Sequence, residues 1–568
     1  MNAETKSCQN CKSSFAVEPI DFDFYAKMSV PAPTFCPACR FQRRLMFRNE
    51  RVLYKRDCDL CGKSMVTIFA PGKDLIVYCP ACWWSDTWDD GAFFLDYDPD
   101  RNIFEQMKEL QKKTPHMALV SDYTNLVRSD YVNHAGSLKD CYLIFNADFD
   151  ENCAYSNIMV HVKDSMDCTM GIDSQLLYEC INYSKAYRSA FCHTIEDCTD
   201  TYFSRYVSGC SDCFGCVNLR GKKYHIFNEP YSKEDYFKKI KEFRLDTWSG
   251  LQKAKKLADE FWLKHPYRFM EGTTQSTKVS GDYVFNSKNA LDCFQVNESE
   301  DVRYCQFITM RPEKDCYDHT EWGHGAERVV DTMTAGEGSY NVKFCAGAWG
   351  TNTLNVEYGM YNLSCQNAFA CINLKKKQYR ILNKQYSEEE YKKLREHIIQ
   401  SMNKKPYVDA QGRVWKYGDY LPYDLSPFAY NESQAIQYYP MTKEEVLAKG
   451  WAWREPTPSQ HKVTLSADQM PDSIHDVQDS ILDEKIGCAA CSKPFRLIPA
   501  ELQLLRRWGF PIPRSCPDCR HAARLARINP PRLYDRQCAK CSAGIRTSYA
   551  PDRPEVVYCA PCYQEEIA

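Results

Sequence analysis

Asp140-Cys141-Tyr142-Leu143-Ile144 and, further on, Glu179-Cys180-Ile181 set a cysteine between a polar residue and an apolar one. Cys141, Cys153, Cys168, Cys180, Cys192, Cys198, Cys210 and Cys216 follow one another at steps of 12, 15, 12, 12, 6, 12 and 6. Every step but one is a multiple of six. Asn, Asp, Ser and Gly fill the intervals. Short strands with tight corners, stacked in parallel, read this way, so the pattern predicts a β-solenoid. Equivalent positions of successive rungs would then lie about 4.8 Å apart. Cysteine would fill the narrow interior as a small apolar residue. A buried metal or redox ladder is the sharper alternative, and only Cys210, Cys213 and Cys216 crowd closely enough to suggest ligation.

Working outward, the region is duplicated. Asp130-Tyr131-Val132 corresponds to Asp282-Tyr283-Val284, and Cys141 and Cys153 to Cys293 and Cys305, at an offset of 152. Further on the offset is 155: Cys216-Val-Asn-Leu-Arg220 corresponds to Cys371-Ile-Asn-Leu-Lys375. Internal repeats on this scale govern a fold assignment. The second half keeps the beat less well, with steps of 11 from Cys305 to Cys316 and 29 from Cys316 to Cys345. Ser232-Lys-Glu-Asp235 and Ser387-Glu-Glu-Glu390 open a helix at the end of each half in capping-box fashion. These helices, with another over about 249–264, are expected to cap the open sheet ends.

The repeat region is flanked by a second duplication. Cys8/Cys11, Cys36/Cys39, Cys58/Cys61 and Cys79/Cys82 are C-x2-C pairs. Adding 480 to each number lands on Cys488/Cys491, Cys516/Cys519, Cys538/Cys541 and Cys559/Cys562. Such a pair sets two thiolates on one turn, and four sulfurs close a structural zinc shell. Each module therefore implies two ions, and the chain four structural Zn2+. Pairing of first with second and third with fourth is preferred, and a cross-braced pairing is the alternative. Disulfides suit small secreted domains better, and the spacing is not ferredoxin-like. In each module a treble-clef-like first half precedes a zinc-ribbon second half, in which Met65-Val-Thr-Ile-Phe69 and Leu75-Ile-Val-Tyr78 are split by Pro71-Gly72. Gly62 suits a left-handed knuckle turn.

The fold class expected is thus mainly β with short helices: two terminal double zinc-ribbon/treble-clef modules flanking a duplicated β-solenoid-like region capped by helices. The domains fall at 1–98 (zinc module), 99–120 (connecting helix), 121–270 and 271–402 (solenoid halves), 403–454 (Tyr/Pro-rich wrapping segment), 455–485 (linker) and 486–568 (zinc module). Charged residues make up 26% and hydrophobic ones 44%, an ordinary soluble balance. The formal charge of −3 excludes a globally basic nucleic-acid coat. No run approaches the length of a membrane span. With 31 cysteines and no apolar segment in Met-Asn-Ala-Glu-Thr-Lys-Ser7, a reducing cytoplasm is expected.

Phe495 to Arg520, with Pro511-Ile-Pro-Arg-Ser-Cys-Pro-Asp-Cys-Arg520, resembles the treble-clef zinc-ribbon domains of many bacterial proteins. The whole layout, with Pro471-Asp-Ser-Ile-His-Asp-Val-Gln-Asp-Ser-Ile-Leu482 and Ser426-Pro-Phe-Ala-Tyr-Asn431, is similar to an uncharacterised cysteine-rich zinc-ribbon family of candidate-phyla bacteria. The resemblance implies zinc ribbons and a bacterial cytosol. It carries no activity.

Three function classes follow. In the first, the zinc modules bind RNA or another anionic polymer through Arg40, Arg43, Arg44, Arg48, Arg520, Arg524 and Arg527. A flexible linker would then let the two modules act together. The bland reading of those arginines is a solvated face paired to the many acids. In the second class the solenoid is a protein-interaction platform without nucleic acid. In the third, His319, Glu321 and His324 hold a catalytic metal, although they lack the spacing of H-E-x-x-H.

Overall fold

The computed structural model describes residues 2–272, 275–309, 312–457 and 461–567. It is mainly β, with 12 short α-helices among the described residues. No described helix is long and apolar enough to cross a membrane. Two large mixed sheets of 13 and 14 strands dominate, one from each half of the repeat region.

Within the first sheet the parallel register advances by twelve residues. Asn157 pairs with Thr169, Thr169 with Ile181, Ile181 with His193 and His193 with Arg205. The chain therefore rises one strand spacing every twelve residues. Its corners come every three. Asn152, Tyr155, Ile158, His161, Asp164 and Asp167 all have φ between 49° and 57°. The residue after each corner is buried: Cys153, Ser156, Met159, Val162, Ser165 and Cys168. Three residues, not six, is thus the elementary period, and it absorbs the step of 15 that the six-residue reading left out. Left-handed backbone costs a non-glycine residue roughly 1–2 kcal/mol. Asn and Asp at several corners lower that cost.

The second sheet contains longer turns. Ser299 pairs with Glu313 and Val342 with Val356, fourteen residues on, while Cys316 pairs with Val329 and Met333 with Ala346, thirteen on. These insertions move its cysteines off the beat. Helices Lys233–Glu242 and Glu388–Lys404 follow the final strands of the two sheets, with Ser232 and Ser387 accepting from the backbone of Asp235 and Glu390.

The cysteine modules cross over. The N-terminal one packs on the second sheet, where Phe24 stacks on Tyr317 at 3.8 Å. The C-terminal one packs on the first, where Arg524 Nη1 lies 2.6 Å from Asp167, and its strand Val557–Tyr558 pairs with Tyr267–Arg268 in a separate two-stranded sheet. Segment 403–454 does more than wrap the surface. Trp415, Tyr420, Leu421, Tyr430 and Trp451 join one core with Phe35, Phe47 and the second sheet. Nor does all of 455–485 dangle: Met470, Ile474, Val477 and Ile481 are buried in a core shared with helix Trp248–Trp262.

Candidate metal centres and the arginine seams

The sixteen cysteines of the two modules form four groups of four, and the ligand sulfurs of each group lie within 4.8 Å of one another. The first pair joins the second, and the third joins the fourth. Every centre is built alike. A hairpin such as Glu4–Ser7 with Ser14–Val17 carries the first pair, and the residue after it turns left-handed: Lys12, Gly62, Ser492 and Ser542 have φ of 63°, 71°, 62° and 60°. The second pair sits at a helix start, with Cys36, Cys79 and Cys516 as N-caps before prolines. So the second centre of each module is not a different ribbon, as its β-rich runs had suggested. Only Val77–Tyr78 of the run Leu75–Tyr78 is a strand.

The donor chemistry fits a tetrahedral thiophilic ion. Sulfur–sulfur distances are 3.7 Å for Cys11–Cys36, 3.9 Å for Cys61–Cys79, 3.8 Å for Cys491–Cys516 and 3.7 Å for Cys541–Cys559. A tetrahedron with zinc–sulfur bonds of about 2.3 Å has an edge of about 3.8 Å. Backbone N–H groups of Cys79, Cys516 and Cys559 donate to the sulfurs of Cys58, Cys488 and Cys538 at 3.2 Å. Burial works against ionising Cys58, Cys488 and Cys538, yet the backbone donors prevail, drawing the thiols down to about 7, 6 and 6. Such donors favour the thiolate that a metal needs.

The arginines expected to face a polymer are placed otherwise. Arg40, Arg43, Arg44 and Arg48 are at most 2% exposed, and Arg520 and Arg524 are 7% and 4% exposed. Helix Pro37–Leu45 presses the first group onto the second sheet. Arg40 Nε lies 2.9 Å from Asp318, Arg43 Nη2 2.7 Å from Asp331, and Arg44 Nη1 3.2 and 2.8 Å from Asp318 and Asp331. Arg48 contacts Glu321 at 3.6 Å. Helix Pro517–Leu525 repeats the device on the first sheet: Arg520 and Arg524 lie 3.1 and 2.6 Å from Asp167, and Arg520 also lies 2.7 Å from Glu501. Arg527 alone of the set is exposed, 2.8 Å from Asp259. An amphipathic helix beginning at a metal centre buries whatever face meets its neighbour, and here that neighbour offers carboxylates at left-handed corners: Asp167, Asp318 and Asp331.

The proposed His319–Glu321–His324 constellation is not assembled. His324 is exposed, while Glu321 turns to Arg48 and Gln434. His319 lies in the interior with Glu313 and Cys316, a third kind of cluster that sequence reasoning missed. Its Nδ1 is 3.1 Å from Glu313 Oε2, although the two atoms are not aligned for a hydrogen bond. The backbone N–H of Ala335 donates to His319 Nε2 at 3.1 Å. In a neutral imidazole the proton then sits on Nδ1, leaving no ligand lone pair toward Glu313 and Cys316. A strand of one-in-three burial would have flagged Glu313, Cys316 and His319 as neighbours.

All fifteen cysteines of the repeat region are buried and free. Cys180 Sγ donates to the carbonyls of Tyr178 and Ser189, both at 3.5 Å, and Cys192 to those of Ala190 and Thr201 at 3.3 and 3.2 Å. Cys210, Cys213 and Cys216 do not form a candidate metal group among the described residues.

No family model and no curated protein matches the chain. Among solved structures, one from Desulfovibrio desulfuricans G20, provisionally described as an acetyltransferase, aligns with 52% of this chain and 74% of its own. At 9% identity and a TM-score of 0.11, that likeness carries no argument.

Proposed function

We propose that the chain is a zinc-stabilised scaffold: a duplicated β-solenoid held by two treble-clef modules, each containing two structural zinc ions. One observation carries the reading. The basic helix that starts at Cys36–Cys39, and its counterpart at Cys516–Cys519, are consumed in buried ion pairs with the repeat region. Zinc then sets the helix, and the helix holds the sheet. Closed shells of four cysteine sulfurs support a structural rather than a catalytic role. The free cysteines support a reducing compartment.

RNA or another anionic polymer as partner would require Arg40, Arg43, Arg44, Arg48, Arg520 and Arg524 to leave their carboxylates. The test separates the two. Metal analysis of the purified chain is expected to return close to four zinc ions, and fluorescence anisotropy with single-stranded RNA no salt-steep binding. Two zincs or fewer would sink the scaffold. Salt-dependent RNA binding that Arg44→Ala with Arg524→Ala abolishes in a still-folded protein would restore the polymer reading.

A further inference from the structure

A cavity of about 340 Å3 opens where the N-terminal module and the two sheets meet. Trp84, from the helix that carries Cys82, lines it together with Trp322 and Trp349 of the second sheet. Asp122 and Asp148 of the first sheet and Glu337 of the second complete the wall. Pockets of this volume hold small organic molecules.

The wall is shaped by two glycines. Gly136 separates Asp122 from Asp148 in the strand ladder, and a methyl group there would come within 2.8 Å of Asp148 Oδ1. Gly336 lies against Trp322, where a methyl would come within 2.6 Å of the ring. Among the described residues, none of the three carboxylates has a lysine or arginine within ion-pair distance. Arg48 also lines the cavity but is engaged by Thr334 at 3.0 Å and Glu321 at 3.6 Å. His134 lines it too, and burial, with Arg48 nearby, keeps its imidazole neutral. Further groups there lack partners: Ser121, 7% exposed, has an unpartnered Oγ, and Trp84 an unpartnered Nε1. Asp122 and Glu337 reach solvent at the mouth of the cavity while Asp148 is half-buried. Asp122 accepts from Thr124 Oγ1 at 2.8 Å and Asn125 Nδ2 at 2.5 Å. Three carboxylates gathered without a cation repel one another.

We propose that this cavity binds a methylated or quaternary ammonium ion, its charge set against the tryptophan faces and the carboxylates of Asp148 and Glu337. Aromatic walls attract such cations through the ring quadrupole, and nearby acids add Coulombic attraction. The cation can come from a free small molecule such as choline or from a methylated lysine of another protein. Burial, with Glu337 and Asp122 adding like charge against the Gly136 N–H, pushes the Asp148 carboxyl up to about 7. Glu337 is raised as well, by burial first, with His324 opposing. Asp122, His134, His324 and Arg48 are the titratable or charged groups that face this pair. Binding therefore strengthens between about pH 6 and about pH 8 as Asp148 gives up its proton.

The experiment titrates the full-length zinc-loaded chain calorimetrically, following tryptophan fluorescence in parallel. The probes are tetramethylammonium, choline, a trimethyllysine peptide and 3,3-dimethyl-1-butanol, the uncharged isostere of choline. The cations are expected to bind, and the alcohol at least about tenfold more weakly. Preference for choline over the peptide, or the reverse, identifies the source. Glu337→Gln with Asp148→Asn, near-isosteric changes, should weaken cation binding about tenfold or more with circular dichroism and zinc content unchanged. Trp322→Leu should do the same. Equal affinity for alcohol and cation, no binding by any probe, or full binding by the folded double variant would overturn the proposal.

Discussion

Asp150 occupies an inward position that its neighbours fill with cysteine, serine or valine. It is 1% exposed, Oδ1 accepts the backbone N–H of Val162 at 2.7 Å, and Oδ2 has no partner. Burial raises its carboxyl well above the ordinary range, against that one hydrogen bond. The folded chain then keeps a proton that the unfolded chain releases near pH 3.9, so stability falls as pH rises above that value. Asp150→Asn retains the acceptor and removes the charge. Its denaturation midpoint should equal the parent's near pH 3 and exceed it near pH 8. A variant less stable at both would show that the carboxylate is satisfied in some other way. Serine can serve here because it makes the same contacts. Ser156 and Ser204 stand in one column with Cys168, Cys180 and Cys216, and their Oγ atoms accept the N–H of Cys168 and Cys216 at 2.9 and 3.1 Å. Cysteine in this interior is a small donor, and burial rather than metal accounts for it.

The decisive elements are the helices Pro37–Leu45 and Pro517–Leu525. Each starts on a C-x2-C cysteine pair and ends in basic residues buried against one sheet. Both guanidinium groups at the second seam rely on Asp167, itself fully buried. Removing one partner of a buried pair leaves a desolvated charge, at a cost of about 3–5 kcal/mol. Asp167→Ala should therefore lower the chemical denaturation midpoint and open the chain to trypsin beside Arg524. Apolar replacement of both partners, Asp167→Leu with Arg524→Met, should recover much of the loss. If Asp167→Ala stays within about 0.5 kcal/mol of the parent, the seam does not hold the module.

At the scale of the molecule, each cysteine module makes its buried arginine seam with the half of the repeat region farther from it in sequence, while Ser548 of the C-terminal module also donates to Asp282 of the second sheet. The C-terminal part is fastened by several independent contacts. Tyr155 donates to Glu501 at 3.0 Å, Thr547 donates to the carbonyl of Phe269 at 2.6 Å, and Val557–Tyr558 pairs with Tyr267–Arg268. A specific protease site inserted between Glu455 and Lys462 should allow cutting of the chain without separating it. The two fragments should elute together in native gel filtration and apart in denaturant. Separation under native conditions would return the mobile module that the polar composition of 455–485 suggested.

Those outcomes trace to different kinds of information. The four cysteine quartets were legible in the sequence, because ligand spacing is local and a 480-residue register leaves no slack. So was the stacked parallel character of the middle, since the cysteine steps sample a fixed rise per turn. The three-residue period was hidden, because only some inward positions are cysteine and the rest are Ser, Ala, Val or Met. What the arginines after Cys39 and Cys519 do was decided by tertiary structure alone. Their partners Asp318, Asp331 and Asp167 lie hundreds of residues away, and an arginine's sequence neighbours carry no signal of whether its face will meet water or a buried carboxylate. The same holds for Trp84, Asp148 and Glu337. Each is ordinary in its own segment, and a cavity exists only because the crossed docking brings three segments to one place.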